Sequence, residues 1–173
     1  MATETSTDAI ALLKADHRKV ETLFEKFESA SDRSKQAIAE QICNELKIHT
    51  MIEEEIFYPA LDGKIEEETL GEAYVEHDGA KILINDIMAG GPDDEFYDSK
   101  VKVLSEEIEH HVKEEEAQSE GMFAQVREAD VDLIALRDAM LARKEELIAQ
   151  IETEGTLPPA RLSTMPAPAD TEQ

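Results

Sequence analysis

An all-α fold is predicted, an up-down-up-down four-helix bundle with an additional C-terminal helix, and three features of the 173-residue sequence predict it. Apolar residues recur at helical spacing through four segments of roughly 20–25 residues each. The breaks between segments are short and rich in turn residues, which makes consecutive helices antiparallel neighbours. Each of the four apolar stripes is also interrupted near its middle by a histidine: His17, His49, His77 and His111. The sequence carries no strand-rich region, no Gly-rich phosphate loop and no Cys-based zinc pattern.

The elements follow from local chemistry. Thr7 or Asp8 can cap a first helix running to about Ala30. The polar turn SASDRS leads to a second helix from about Ser34 to Tyr58, closed by Pro59 and Asp62-Gly63. A third spans about Glu66 to Met88 and stops at AGGP, residues 89–92. A fourth begins near Asp93 or Asp94, passes Glu115 and loosens around Gly121. A fifth amphipathic segment, Asp130 to Ile151, either packs on the bundle or forms a homodimer contact. The expected organisation is a flexible N-terminus (1–7), the bundle (8–127), the additional helix (128–152) and a tail (153–173). Four prolines and few large apolar residues in that tail predict disorder.

Composition restricts the function classes. A net charge of −24 and a pI near 4.4 argue against nucleic acid and against anionic membrane surfaces as partners. Cys43 is the single cysteine, which excludes an intramolecular disulfide and suits a reducing compartment. The N-terminal residues lack the basic flank and apolar run of a signal peptide, and a cytoplasmic location is expected.

The candidate site lies in the stripes. Asp and Glu supply 41 of 173 residues, so an acid at i+4 of a histidine is common by chance and the face decides. His17 falls among Leu13, Val20, Phe24 and Phe27; His49 and Glu53 among Ile38, Ile42, Leu46 and Ile56. His77 falls among Leu70, Tyr74, Lys81, Ile84 and Met88, and His111 and Glu115 follow Val101, Leu104 and Ile108. His110 shares its face with Val103, Glu107 and Glu114 and is read as outward. Glu21, Glu54, Glu55, Glu114 and Glu116 are read as parts of solvated faces.

Ionisable groups at mid-stripe in all four helices need a shared reason, because burying each alone is costly. Four imidazoles and two carboxylates aimed at one point suit two cations. Iron or manganese fits such donors better than calcium, which prefers oxygen, or structural zinc, which favours thiolates. Glu53 and Glu115 are then natural bridges between a His17/His49 pair and a His77/His111 pair. A ferritin-like carboxylate site would need two Glu-x2-His motifs, and only Glu107 to His110 fits.

The segments Asp16-His17, HTMIEEEIFYP (49–59), EHDGAK (76–81) and EHHVKEEE (109–116) resemble those of the hemerythrin-like, or HHE cation-binding, domains over residues 8–127. The resemblance implies a four-helix bundle with a non-haem di-iron centre, oxo- or hydroxo-bridged, that meets dioxygen, nitric oxide or peroxide. Its implied ligands are His17, His49, Glu53, His77, His111 and Glu115. Lys81 stands where oxygen carriers of the family have a second histidine on the third helix, which argues against reversible oxygen carriage. Lys81 is read either as a cation behind the site or as a lysine reaching to solvent, and Tyr74 as core packing or a donor to the site. Peroxide or dioxygen reduction is the plausible reaction of an enzyme here. The alternative is a metal-responsive interaction module signalling through the C-terminal helix or tail.

Overall fold

The computed structural model describes residues 6–166, and every regular element among them is a helix. Helix α1 (Ala9–Ser29) starts at Asp8, whose Oδ1 accepts the Ala11 amide at 2.9 Å. Helix α2 (Asp32–Ile52) continues through a π-helical turn (Glu53–Phe57) into a short α3 (Tyr58–Leu61). Helices α4 (Glu67–Gly90) and α5 (Tyr97–Glu116) complete the bundle. Helix α5 begins later than the sequence suggests because Asp94 is spent on the preceding turn, accepting the Phe96 amide at 2.9 Å.

Pro59 does not end the second helix. Its ring collides with the carbonyl four residues back and it has no N–H to give. The π turn absorbs that defect one turn earlier, with the Tyr58 amide donating to the Glu53 carbonyl. Residues five apart point about 140° away from each other on an α-helix. The widened turn instead brings Glu53 and Tyr58 to the same side, both fully buried.

The core divides into two apolar clusters. One gathers Ile10, Leu13, Ile52, Phe57, Leu61, Phe123, Met140 and Leu147. The other gathers Val20, Phe24, Phe27, Ile42, Leu46, Ile84, Leu104 and Ile108. Between them lies a layer of buried ionisable residues, His17, His49, Glu53, His77, His111 and Glu115. No helix among the described residues is long and apolar enough to cross a membrane.

Two elements follow the bundle. A short α6 (Met122–Glu128) sits where the fourth helix is expected to loosen, and its Phe123 ring stacks on His17 with centroids 6.0 Å apart. Helix α7 (Leu133–Glu154) packs on α1, α2 and the π turn, burying Met140 and Leu147. Gly121 joins α5 to α6 at close quarters: a Cβ there would lie 2.5 Å from the Ala117 carbonyl oxygen and 2.9 Å from that of Glu114.

The segment after α7, expected to be disordered from residue 153, instead forms an ordered strap as far as residue 166; residues 167–173, like 1–5, lie outside the described range. Leu157 is buried, and its carbonyl accepts from Lys47 at 3.3 Å. Asn85 holds both the amide and the carbonyl of Ala160. Asp78 accepts the amides of Ser163 (2.8 Å), Thr164 (2.7 Å) and Met165 (3.1 Å) and the Thr164 hydroxyl (2.7 Å). Polar side chains on α2 and α4 satisfy the strap's backbone, so it needs few large apolar residues of its own. Burial pushes the Asp78 carboxyl up, but hydrogen bonds from Thr164, Ser163 and Lys81 outweigh it and hold the group at about 2.

Gly121→Ala should lose about 1–3 kcal/mol in urea denaturation, the range for overpacking a tight site. Asp78→Ala leaves the amides of Ser163, Thr164 and Met165 without their acceptor and should cost about 1–3 kcal/mol while exposing residues 157–166 to protease. Because the folded value is depressed, the wild-type contribution is complete above the ordinary aspartate value of 3.8 and is lost as pH falls toward about 2. Proteolysis of the strap that is equally slow in Asp78→Ala and wild type would contradict this account.

Candidate metal centre

Each of the four inward histidines turns Nε2 to the core and Nδ1 outward. The Nδ1 atoms of His17, His49 and His77 lie 2.7 Å, 3.4 Å and 2.9 Å from carboxylate oxygens of Glu116, Asp16 and Glu54. A carboxylate on Nδ1 keeps the proton there and leaves the Nε2 lone pair facing inward. His111 differs: its Nδ1 is 3.5 Å from Glu76 Oε1 and makes no hydrogen bond.

The rings form two pairs, His17 with His49 (centroids 4.9 Å apart) and His77 with His111 (4.8 Å). Glu53 spans both pairs, with Oε1 3.2 Å from His49 Nε2 and Oε2 3.0 Å from His77 Nε2. Glu115 does the same, with Oε2 3.2 Å from His17 Nε2 and Oε1 3.3 Å from His111 Nε2. The structure thus brings all six sequence-predicted residues together, in the expected pairs, with both carboxylates between them.

The donor set fits bound cations. His17 Nε2, His49 Nε2, Glu53 Oε1 and Glu115 Oε2 are buried with no hydrogen-bond partner, an expensive state for polar atoms. These residues form one group able to hold an ion, and Glu53, His77 and His111 form a second. His77 Nε2 and His111 Nε2 face each other at 3.2 Å, where two lone pairs repel unless a proton or a cation lies between them. Without metal, protons fill that role. Burial disfavours charge on His49, but Glu53 and Asp16 outweigh it and raise the imidazole to about 10. Burial and Glu115 push Glu53 up, yet His49 and His77 bring it down to about 2.

Tyr58 is the residue that the sequence pattern misses. Its hydroxyl donates to Glu115 Oε1 at 2.9 Å and lies 3.2 Å from Glu53 Oε2 and 3.1 Å from His77 Nε2. Burial, Glu115 and Glu53 push its ionisation well above 10, so it stays a phenol in the metal-free protein. The signal that could have found it is Pro59, since a proline inside a helical pattern implies a local change of pitch. Tyr74 instead packs edge-on against Tyr58, with centroids 5.1 Å apart.

Two residues read as parts of solvated faces belong to the site's surroundings. Glu116 holds His17, and Glu54 holds His77 while also accepting from Lys81 at 2.8 Å. Lys81 is buried and does not reach solvent; it ties Glu54 to Asp78, the Arg161 carbonyl and Ser163. Its ammonium therefore acts on His77 through Glu54. Glu21 and Glu55 pair with Arg18 and Arg143 at the surface, and His110 is outward, 66% exposed, as expected.

Comparison with known proteins agrees with this geometry. The profile of the hemerythrin HHE cation-binding domain matches residues 8–124, which carry all six core residues. The chain belongs to the hemerythrin HHE family. This HHE chain is 31% identical over 117 residues to a DNA nickase of a Nostoc species, the match covering 67% of the chain and 32% of that protein. The chain thus spans about a third of the length of that relative. Its fold is shared with the crystal structure of an HHE cation-binding domain-containing protein from Mycobacterium kansasii, at a TM-score of 0.69 and 22% identity, covering 86% of this chain and 94% of that one.

His111→Ala removes a core donor and should lower the metal retained after desalting, whereas His110→Ala should leave it unchanged. Elemental mass spectrometry on the two purified variants checks this, and the opposite pattern would displace the register of α5.

Proposed function

We propose that this chain is a non-haem di-iron protein whose centre binds, senses or reacts with a small oxidant: dioxygen, nitric oxide or peroxide. One observation carries the reading most strongly. Four buried, unpartnered donor atoms converge with two further imidazoles, and the donors sort into two groups that share Glu53. His17 and His49 would hold one cation, His77 and His111 the other, with Glu53 and Glu115 common to both. Two redox-active cations held there would supply electrons and Lewis acidity to the oxidant.

The chain's own residues set the terms. Glu116, Asp16 and Glu54 hold three imidazoles in the tautomer that keeps Nε2 available. Tyr58 holds Glu115 by its hydroxyl, which also lies 3.2 Å from Glu53, and so places a proton inside the centre. The apolar clusters above and below shield the centre from water on two sides. Lys81 puts no nitrogen toward the centre, which favours sensing or turnover over reversible carriage. Manganese suits the same donors, and a cytoplasmic location suits the reduced cysteine. Strand cleavage, the activity in the name of the Nostoc relative, finds no support in a surface of net charge −24.

A second reading, a metal-responsive interaction module, has one specific observation in its favour. Glu54, which holds His77, also accepts from Ser163 of the strap. Protease sensitivity of residues 157–166 that differs between metal-free and metal-loaded protein would favour it.

The decisive measurement is the metal content and near-ultraviolet and visible spectrum of protein from iron-supplied cells. Two irons per chain, a spectrum altered in Tyr58→Phe, and consumption of peroxide or binding of nitric oxide are expected. Negligible metal after anaerobic reconstitution would overturn the reading. Loading should also release protons at pH 7, because His17, His49 and His111 are all raised against burial by facing carboxylates. Affinity should accordingly fall as pH falls, which calorimetry in buffers of different ionisation enthalpy would show.

A further inference from the structure

Glu76, His110 and Glu114 form a third group of metal-binding type, outside the six core residues. His110 Nε2 lies 3.1 Å from Glu114 Oε1 and 3.8 Å from Glu76 Oε2. On α5 this pair precedes His111 and Glu115 by one residue, so the same four-residue spacing repeats about 100° around the helix. One pair faces the core and the other faces water.

Glu76 links them. Its Oε1 lies 3.5 Å from His111 Nδ1, while its Oε2 is buried without a hydrogen-bond partner. His111, 4% exposed, likewise has an unpartnered Nδ1 directed at Glu76. The other three core histidines are each tied to a carboxylate at Nδ1, so His111 alone among them lacks a hydrogen bond there. A cavity of about 230 Å³ opens at the same place. Glu76 and Glu114 stand in its wall with Glu72, and His111 and Glu115 also line it.

We propose that Glu76, His110 and Glu114 form a surface loading site for a divalent cation, from which the ion passes by Glu76 through this cavity to His111 and Glu115. The proposal rests on the reading of the core as a metal centre. One imidazole and two carboxylates select ions of the Fe²⁺, Mn²⁺ and Zn²⁺ class. Two of the three groups are exposed, so water keeps the remaining positions and the ion is held weakly, as transfer requires. The protein's net charge of −24 draws cations toward such a mouth and repels anions.

The test compares full-length wild type with the double variant His110→Ala/Glu114→Gln, both metal-free, mixed anaerobically with limiting Fe²⁺. Metal retained after rapid desalting is followed in time. The double variant should load roughly fivefold more slowly or worse, yet reach the wild-type content. Glu109→Gln, which removes a carboxylate elsewhere on α5, should load at the wild-type rate. Equal rates for the double variant and wild type would overturn the proposal and leave the metal centre standing. A slowdown of the same size in Glu109→Gln would overturn it too, in favour of a general charge effect. Wild type that retains no iron would instead sink the core reading, and the loading site with it. As a second readout on loaded protein, Zn²⁺ titration should find one weakly held ion per chain that the double variant lacks; the same extra ion in both would overturn the proposal.

Discussion

Four imidazoles and two carboxylates are buried in one layer across the bundle, and the rest of the structure answers to that fact. Such a layer is unfavourable in an apolar core unless positive charge lies among the donors. Protons can supply it, as the raised His49 and depressed Glu53 indicate, and so can cations. The two apolar clusters are held apart by this layer. One joins α1, α2 and α4 to α6 and α7, the other joins α1, α2, α4 and α5, and together they fix where the donor atoms meet.

The π turn shows how a local defect becomes a site feature. Pro59 would break a regular helix, and the widened turn before it rotates Tyr58 into the space between Glu53, His77 and Glu115. Had the helix kept its regular pitch, Glu53 and Tyr58 would point apart and Glu115 would lose its phenol donor. The same turn carries Glu54, whose carboxylate holds His77 from behind. One irregular turn thus supplies groups on both sides of one imidazole.

Support of the histidines is uneven, and the unevenness follows the chain's connections. His77 is held through Glu54 by Lys81 and by the strap that returns from α7, so the far end of the chain reaches a core residue in two steps. His17 is backed by Glu116 and covered by Phe123 of α6. His111 has only a distant Glu76, beside an opening in the wall. Rigid support lies where the chain covers the bundle and loose support where it does not.

The sequence by itself determined the helices, their order and the inward face of each, because an apolar stripe of period 3.6 is a property of neighbouring residues. It also determined that His17, His49, Glu53, His77, His111 and Glu115 share the core, since a polar residue in such a stripe has nowhere else to go. The tertiary structure alone decided what lies around them. Tyr58 enters through a change of helical pitch that a regular period cannot express. Glu54 and Glu116 look like surface acids until the neighbouring helix places an imidazole against them. The strap looks disordered until Asp78, Lys81 and Asn85 on another helix satisfy its backbone. In each case the deciding contact joins residues that local spacing does not relate, and a one-dimensional pattern carries no record of it.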